Sequence, residues 1–337
     1  MSIDWSKLSF SYTPTKCHIR YIWRDGKWDS GELVESPYVN LHIAATALHY
    51  GQALFEGMKA YRSKSGEIKV FRPEMNARRI NSGARRTMMA EIPEEMFLDA
   101  IHRVVKTNEE FVPPYGTGAT LYIRPLLIGS GPQIGVNPAT EYIFIILVTP
   151  VGAYYKGGLQ PVHAMVLDEY DRAAPLGTGQ IKLAGNYAAS LLPHNIVHEK
   201  GYPVELYLDA KEHKYVEEFG TSNFIGVDKT GKFVTAKSTS ILPSVTTNGL
   251  VMLAKHLGMP HECRPIAFDE LESNFAEVGA CGTAVVITPV NAITRGDKTI
   301  EIGPRTGAGP YLQKLYDHYT AIQWGDAEDV FGWLHTL

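Results

Sequence analysis

The chain has 337 residues, of which 45% are hydrophobic and 20% are charged. At about 150 residues per domain, this length predicts two domains, each large enough to bury its own core. The formal net charge of -4 leaves no basic excess for a phosphate backbone, so nucleic acid is not an expected partner. The longest apolar run, residues 142–148, is far shorter than the roughly 20 residues that span a bilayer, so no membrane partner is expected.

The chain start and the cysteines bear on location and on metals. The first ten residues, MSIDWSKLSF, lack a basic segment followed by an apolar one, and no Asn-x-Ser/Thr acceptor occurs, so we expect a cytoplasmic protein. Cys17, Cys263 and Cys281 are widely spaced and form no Cys-x-x-Cys motif, which predicts free thiols and no metal site.

The first predicted elements are two strands and two helices. HIRYIW (18–23) and EIKVFRP (67–73) alternate in the manner of strands, and Pro73 is suited to open a helix. Residues 94–111 predict an amphipathic helix, because four apolar side chains recur on one helical face: Phe97, Ile101, Val104 and Val105.

Two further strands and a connector follow. Strands are predicted over 119–129 and 141–150, on either side of a glycine- and proline-rich loop. A linker is predicted over 151–162, because this segment contains the glycines and proline typical of connecting segments. Beyond it the chain is rich in short strands, with helices predicted over 244–257 and 310–322. Hairpin turns such as DKTGK argue against a purely parallel sheet in this second half.

Lys182 stands in GQIKLAGNYAASLL (179–192), a run that is otherwise small, apolar or uncharged. The plain interpretation is a lysine whose stem packs while its head reaches water or a carboxylate. An amine that attacks a carbonyl must instead be partly neutral near pH 7, and the small apolar neighbours 183–185 favour this by desolvation. Lys182 is therefore a candidate Schiff-base lysine, with the phenol of Tyr187 five residues further on.

A pyridoxal phosphate cofactor would require an anion beside its pyridine nitrogen and a cradle for its phosphate. Glu218, just before a Gly-Thr-Ser-Asn turn, offers the anion. Residues 244–246 lie at a predicted helix start, where N–H groups favour phosphate. Arg79 and the turn at 282–284 offer further donors. Each also has a plain interpretation, as a strand-surface charge, a helix cap or a solvated helix face, and spacing alone does not bring them together.

Two other motifs are set aside. GSGPQIG (129–135) has the wrong glycine spacing for a dinucleotide loop, so a plain loop is expected. HEC (261–263) places its three residues on alternating faces of a predicted strand, with no second ligand pair for a metal.

The remaining motifs form an ordered series. ALHYGQALFEGMKAYR, VFRPEMNARRI, LYIRPLLIGS, TPVGAYYKGG, IKLAGNYAASL, EEFGTSNF, ILPSVTTNGL and GTAVVITPV follow one another along the chain. In these motifs the chain resembles the branched-chain amino-acid aminotransferases, which are fold-type IV pyridoxal-phosphate enzymes. The resemblance implies an α/β (α+β) protein with a smaller N-terminal α/β domain (1–151), an interdomain loop (152–162) and a larger C-terminal cofactor domain with an antiparallel pseudo-barrel (163–337). It also implies a homodimer or an assembly of dimers.

The resemblance further implies the site residues. Lys182 would form the aldimine with pyridoxal 5'-phosphate, Tyr187 would bind its phenolic oxygen and Glu218 its pyridine nitrogen. The phosphate would be held by Arg79, Val245, Thr246 and Thr283. The substrate α-carboxylate would lie at Thr283 and Ala284, with Thr221 lining the site. The side-chain pocket would be formed by Tyr50, Phe55, Tyr122, Arg124 and Tyr154, with Ile134 and Val136 reaching into the pocket of the partner subunit.

The implied activity is reversible transfer of the amino group of L-leucine, L-isoleucine or L-valine to 2-oxoglutarate, which gives the branched 2-oxo acid and L-glutamate. A mostly aromatic wall with a recessed arginine can accept both an apolar side chain and a carboxylate. The alternatives are a D-amino-acid aminotransferase or an aminodeoxychorismate lyase of the same fold type and, from another class, a non-catalytic binding protein in which Lys182 is merely salt-bridged.

Overall fold

The computed structural model describes residues 3–153 and 158–337. Tyr154, predicted to line the substrate pocket, lies outside the described residues. Among the helices of the described part, none is both long enough and apolar enough to cross a bilayer.

The chain divides into two compact units. The first contains the described residues up to 153 and two later segments, Ile181–Gly185 and Ala321–Leu337. The second contains residues 158–180 and Asn186–Thr320. The segment that carries Lys182 therefore belongs to the first unit although it lies in the middle of the second in sequence.

The described residues form strands and α-helices that are interspersed along the chain. The strands are β1 (His18–Arg24), β2 (Lys27–Trp28), β3 (Glu32–Val34), β4 (Ala53–Phe55), β5 (Met58–Arg62), β6 (Ile68–Phe71), β7 (Thr120–Gly129), β8 (Tyr142–Val151), β9 (Val162–Val166), β10 (Val204–Leu208), β11 (Val216–Phe219), β12 (Ser222–Asp228), β13 (Phe233–Ala236), β14 (His261–Arg264), β15 (Phe275–Gly282), β16 (Val286–Arg295), β17 (Lys298–Glu301) and β18 (Leu334–Thr336). The α-helices are α1 (Thr46–Tyr50), α2 (Pro73–Arg86), α3 (Glu94–Thr107), α4 (Ala184–Ala189), α5 (Leu191–Glu199), α6 (Val245–His256), α7 (Leu271–Asn274) and α8 (Pro310–Trp324).

The first unit is built on an antiparallel sheet. Its strands run in the order β18-β6-β5-β7-β8-β1-β2, with β3 on β1 and β4 on β7. The central pair, β7 and β8, is hydrogen-bonded along ten residues, from Thr120 opposite Val151 to Gly129 opposite Tyr142. Their side chains are mostly buried, as the apolar run 142–148 predicted.

Helix α3 covers this sheet with the apolar face predicted from the sequence. Phe97, Ile101, Val104 and Val105 are all buried in the core of the first unit. The predicted helix over 94–111 divides at Asn108, after which a short 3-10 turn follows. The Asn108 side chain donates to the carbonyls of Val104 (2.8 Å) and Cys17 (3.0 Å), and so ends the helix and ties it to the chain before β1.

The second unit contains a mixed sheet that closes on itself. Strands β11, β10, β9, β16, β15 and β12 are neighbours in that order, and β12 pairs again with β11, so six strands form a closed ring. Among the described strands of this unit, three pairings are parallel (β9 with β10, β9 with β16 and β13 with β14), and the others are antiparallel. The prediction that this half is not a purely parallel sheet is confirmed.

Candidate active site

Lys182 lies against β4 in the first unit. The Phe55 N–H donates to the Lys182 carbonyl (3.2 Å), and Leu54 and Leu183 form an antiparallel bridge. The Lys182 side-chain nitrogen, Nζ, lies 4.6 Å from the centre of the Phe55 ring. The structure therefore brings the predicted Schiff-base lysine and a predicted pocket residue into contact.

Arg124 stands beside them on β7. Tyr122 and Arg124 are two residues apart on one strand, so their side chains leave the same face of the sheet. The Arg124 Nη2 donates to the Tyr122 hydroxyl (3.0 Å), and the guanidinium carbon lies 4.9 Å from the centre of the Phe55 ring. Within the described residues the buried Arg124 Nε has no hydrogen-bond partner. Since an unsatisfied buried donor is costly, this N–H is suited to a ligand carboxylate.

Two residues at this wall were missed by the sequence reasoning. Lys59 lies directly opposite Tyr122 in the β5–β7 ladder, and burial lowers its pKa to about 8. Strand alternation could have indicated Lys59, because it lies two residues beyond Gly57. Gly57 lies against the Tyr122 hydroxyl, which a Cβ at this glycine would overlap. Phe10 packs edge-on against the Tyr122 ring at 4.9 Å between centroids, a contact between distant segments that no local pattern predicts.

Arg79 is held by a carboxylate that the sequence reasoning also missed. Its Nε and Nη2 each lie 2.7 Å from an oxygen of Glu56, which is fully buried. Asn76 donates a further hydrogen bond to the same carboxylate (2.7 Å). This bidentate pairing fixes the plane of the Arg79 guanidinium, and the contact of Arg79 with a phosphate stays a prediction.

The predicted dimer loop lies beside α1. The Tyr50 hydroxyl donates to the Ile134 carbonyl. Ile134 and Val136 are 76% and 85% exposed. Tyr50, Val136 and Leu183, the neighbour of Lys182, line one cavity of about 340 Å³, a volume within the range of small-ligand sites.

Glu218 lies in the second unit, on β11, and is 3% exposed. Its Oε1 lies 2.7 Å from the Arg172 Nε and accepts from the Leu242 N–H (3.1 Å). Its Oε2 accepts from the Asn223 side chain (2.8 Å). Burial of a carboxylate is costly unless it is paired, and Arg172 supplies the opposite charge. Arg172 was not identified from the sequence, because its loop carries no motif that marks it.

Three predicted phosphate and carboxylate segments meet in the second unit. Ser244 caps α6 by accepting from the Thr247 N–H (3.1 Å), as its N-cap position predicted. The Thr247 Oγ1 lies 2.9 Å from the Cys281 Sγ on β15. A Cβ on Gly282 would lie 3.9 Å from the Thr221 carbonyl oxygen. The start of α6, with Val245 and Thr246, thus lies close to the turn before β12 and the turn after β15, which holds Thr283 and Ala284.

Tyr187 lies in α4, the short helix that follows Lys182, and its side chain is half-buried. Asn186 anchors this helix, because its side chain donates to the Thr178 carbonyl (2.8 Å) and accepts from the Thr178 hydroxyl (2.7 Å).

A family model described as Amino-transferase class IV matches residues 53–293 of the chain. The chain is a class IV aminotransferase. It is 49% identical over 338 residues to the branched-chain-amino-acid aminotransferase of Haemophilus influenzae, with 98% of each chain covered. It is 44% identical over 335 residues to the enzyme of the same name from Helicobacter pylori, with 99% of this chain and 97% of that one covered.

Solved structures share the fold of this class IV aminotransferase. The Escherichia coli branched-chain amino acid aminotransferase matches with a TM-score of 0.78 at 29% identity and covers 93% of this chain and 98% of its own. The T.th. enzyme of the same name, solved with pyridoxamine 5'-phosphate, matches with a TM-score of 0.79 at 27% identity, with 94% and 97% covered. The family and the fold-type IV architecture implied by the ordered motifs are confirmed.

Proposed function

We propose that this class IV aminotransferase transfers the amino group of L-leucine, L-isoleucine or L-valine reversibly to 2-oxoglutarate with pyridoxal 5'-phosphate as cofactor. The named relatives that match along the whole chain support this activity. The observation that carries the proposal is the wall of Phe55, Tyr122 and Arg124 beside Lys182. It combines an apolar ring surface with a cation that has a buried donor to offer.

The donor set fits the cofactor. Pyridoxal phosphate needs an amine for its aldehyde, an anion at its ring nitrogen and donors for its phosphate. Lys182 supplies the amine, and the buried carboxylate of Glu218 supplies the anion. The Thr247 Oγ1, in the first turn of α6, lies 2.9 Å from the Cys281 Sγ near the end of β15, which supports a phosphate site between the N-terminus of α6 and the turn after β15. The phosphate would be held by Arg79, Val245, Thr246 and Thr283, and Tyr187 would bind the phenolic oxygen.

Lys182 moves the proton that the reaction requires. When bound, the cofactor withdraws electrons from the substrate Cα and so makes its proton acidic. With the cofactor bound, the Lys182 amine would take this proton from the substrate Cα and would return it at C4' as a general acid and base. The Glu218 carboxylate keeps a proton on the ring nitrogen, which the electron withdrawal needs. The ring of Phe55 shields one side of the Lys182 amine from water.

The same wall receives two unlike side chains. A branched aliphatic group packs against Phe55 and Tyr122, which contributes the free energy of burying apolar surface. The side-chain carboxylate of 2-oxoglutarate binds Arg124 through the Nε donor and the adjacent Tyr122 hydroxyl. The substrate α-carboxylate binds at Thr283 and Ala284, with Thr221 lining the site. Tyr50 completes the pocket, and a place in it for Tyr154 stays a prediction.

A homodimer, or an assembly of dimers, completes the site in this proposal. Ile134 and Val136 are strongly exposed apolar side chains next to Tyr50. Exposed apolar groups of this size are suited to a subunit interface, where each loop reaches the pocket of the partner. The cytoplasmic location stays a prediction from the sequence.

A steady-state panel tests the activity. L-leucine, L-isoleucine, L-valine and D-alanine are each supplied with 2-oxoglutarate and added cofactor, and glutamate formation is followed. We expect turnover of the three branched L-amino acids and none of D-alanine. Turnover of D-alanine alone would favour the D-amino-acid aminotransferase. No glutamate from any of the four amino acids, with pyruvate release from aminodeoxychorismate in a separate assay, would favour the lyase.

A further inference from the structure

The turn between β15 and β16 has an unusual backbone. The two strands pair up to its base, with Cys281 opposite Ile287 and Gly282 opposite Val286, so only residues 283–285 lie outside the ladder. These are the residues to which the proposed function assigns the substrate carboxylate and part of the phosphate. The shape of the turn therefore decides where their N–H groups point.

Val286 adopts a left-handed backbone conformation with φ of 64°. The Ile287 N–H donates to the Val285 carbonyl (2.9 Å), which closes a γ-turn centred on Val286. A β-branched residue in this region is a genuine outlier, and glycine is the residue that takes it without strain. The chain therefore holds a strained valine at the foot of a turn in the proposed site.

The surroundings hold Val286 in this conformation. Its side chain is 5% exposed, Val286 itself pairs with Gly282 of β15, and β16 also pairs with β9 from Val290 to Arg295. The Cys281 Sγ lies 2.9 Å from the Thr247 Oγ1, so the strand that enters the turn is tied to the first turn of α6. Strain that persists because its surroundings over-determine it is typical of pre-organised binding sites.

We propose that Val286 is a positioning residue, whose strained backbone fixes the 283–285 turn for anion binding before any ligand arrives. This inference rests on the proposed function and deepens it, because it names what holds the anion-binding turn in shape. A turn ordered in advance binds more tightly, since less conformational entropy is lost when the ligand binds. Glycine at this position would remove the strain and also release the turn.

Two matched variants separate strain from side-chain volume. Val286→Gly and Val286→Ala both remove most of the buried side chain, but only glycine accepts the left-handed conformation without penalty. The thermal midpoint and the dissociation constant of pyridoxal 5'-phosphate are measured for both. We expect Val286→Gly to melt no lower than Val286→Ala and yet to bind the cofactor about fivefold more weakly. A purely structural role predicts that stability and affinity change in the same direction.

If Val286→Gly binds pyridoxal 5'-phosphate as tightly as Val286→Ala, or more tightly, the proposal is overturned. Hydrogen exchange on the wild-type protein without cofactor gives a second test that needs no variant. The Ile287 amide, whose N–H closes the γ-turn on the Val285 carbonyl, should already be protected, and exchange at the rate of an open loop would contradict the pre-organised turn. A wild-type protein that binds the cofactor but does not transaminate L-leucine would contradict the proposed function, while the two Val286 variants would still decide this inference.

Discussion

The Arg172 guanidinium and the Glu218 carboxylate form a buried ion pair in the second unit, with 2.7 Å between Nε and Oε1. Arg172 also donates to the Gly179 carbonyl (2.9 Å) and to the Ser240 carbonyl. One side chain thus neutralises the carboxylate assigned to the cofactor ring and anchors the chain three residues before Lys182. Removal of Arg172 would leave a buried carboxylate without its cation.

We therefore expect Arg172→Met to lower the free energy of unfolding by about 3 kcal/mol, because it breaks a buried pair. Arg295→Met is the matched control. Arg295 also pairs with a carboxylate, that of Asp168, and donates to a backbone carbonyl, that of His213, but its pair is more exposed. Its loss should cost less than about 1 kcal/mol. Chemical denaturation measures both, and equal losses would contradict this view of Arg172.

A double-mutant cycle tests whether Arg172 acts through Glu218. Arg172→Met should lower kcat in the wild-type background, since an uncompensated Glu218 no longer serves the ring nitrogen as an anion. In a Glu218→Gln background the same substitution should change kcat little. Independent, multiplicative effects on kcat would show that Arg172 acts by another route.

Arg124 should discriminate between the two half-reactions. Arg124→Met keeps an apolar stem but removes the buried donor, so we expect the KM for 2-oxoglutarate to rise about 10- to 100-fold. The KM for L-leucine should change little, because the branched side chain packs on Phe55 and Tyr122. Steady-state kinetics with each substrate varied in turn give both constants. Equal rises in both would place the 2-oxoglutarate carboxylate elsewhere.

Lys59 should make stability depend on alkaline pH. Its pKa is about 8 in the folded protein and about 10.4 in an unfolded chain. Between these values the unfolded state binds more protons than the folded state, so the free energy of unfolding rises with pH in this window. Below pH 8 Lys59 is protonated in both states, so the full free-energy cost of burying its charge lowers stability. Denaturation of the wild type and of Lys59→Met from pH 7 to 11 gives the Lys59 contribution as the difference between their two slopes, and equal slopes would contradict it.

The thiols should differ sharply in reactivity. Cys263 is exposed, whereas Cys17 and Cys281 are buried. Burial raises the pKa of Cys17, and it raises the pKa of Cys281 to about 12, so neither forms the reactive thiolate near pH 8. A thiol reagent should label one cysteine rapidly in the native protein and none in Cys263→Ser. Rapid labelling of the variant would contradict the buried placement of Cys17 or Cys281.

The sequence predicted what depends on local pattern. The apolar face of α3 follows from periodicity, β8 follows from the apolar run 142–148, and ordered motifs indicated the family. Contacts between distant segments could not be predicted, because nothing in a local window encodes them. Phe10 reaches Tyr122 across more than a hundred residues, and Arg172 meets Glu218 from a loop. The parallel pairing of β9 with β16 likewise depends on strand order in space rather than on either strand alone.

In the function proposed above, Lys182 carries the chemistry of a branched-chain transaminase. The most direct test is glutamate formation from L-leucine and 2-oxoglutarate, with added pyridoxal 5'-phosphate, by the wild type and by Lys182→Ala. We predict turnover by the wild type and a loss of about 10³-fold or more in the variant, because no other group would move the proton from Cα. A Lys182→Ala protein that retains a substantial fraction of wild-type turnover would contradict the account.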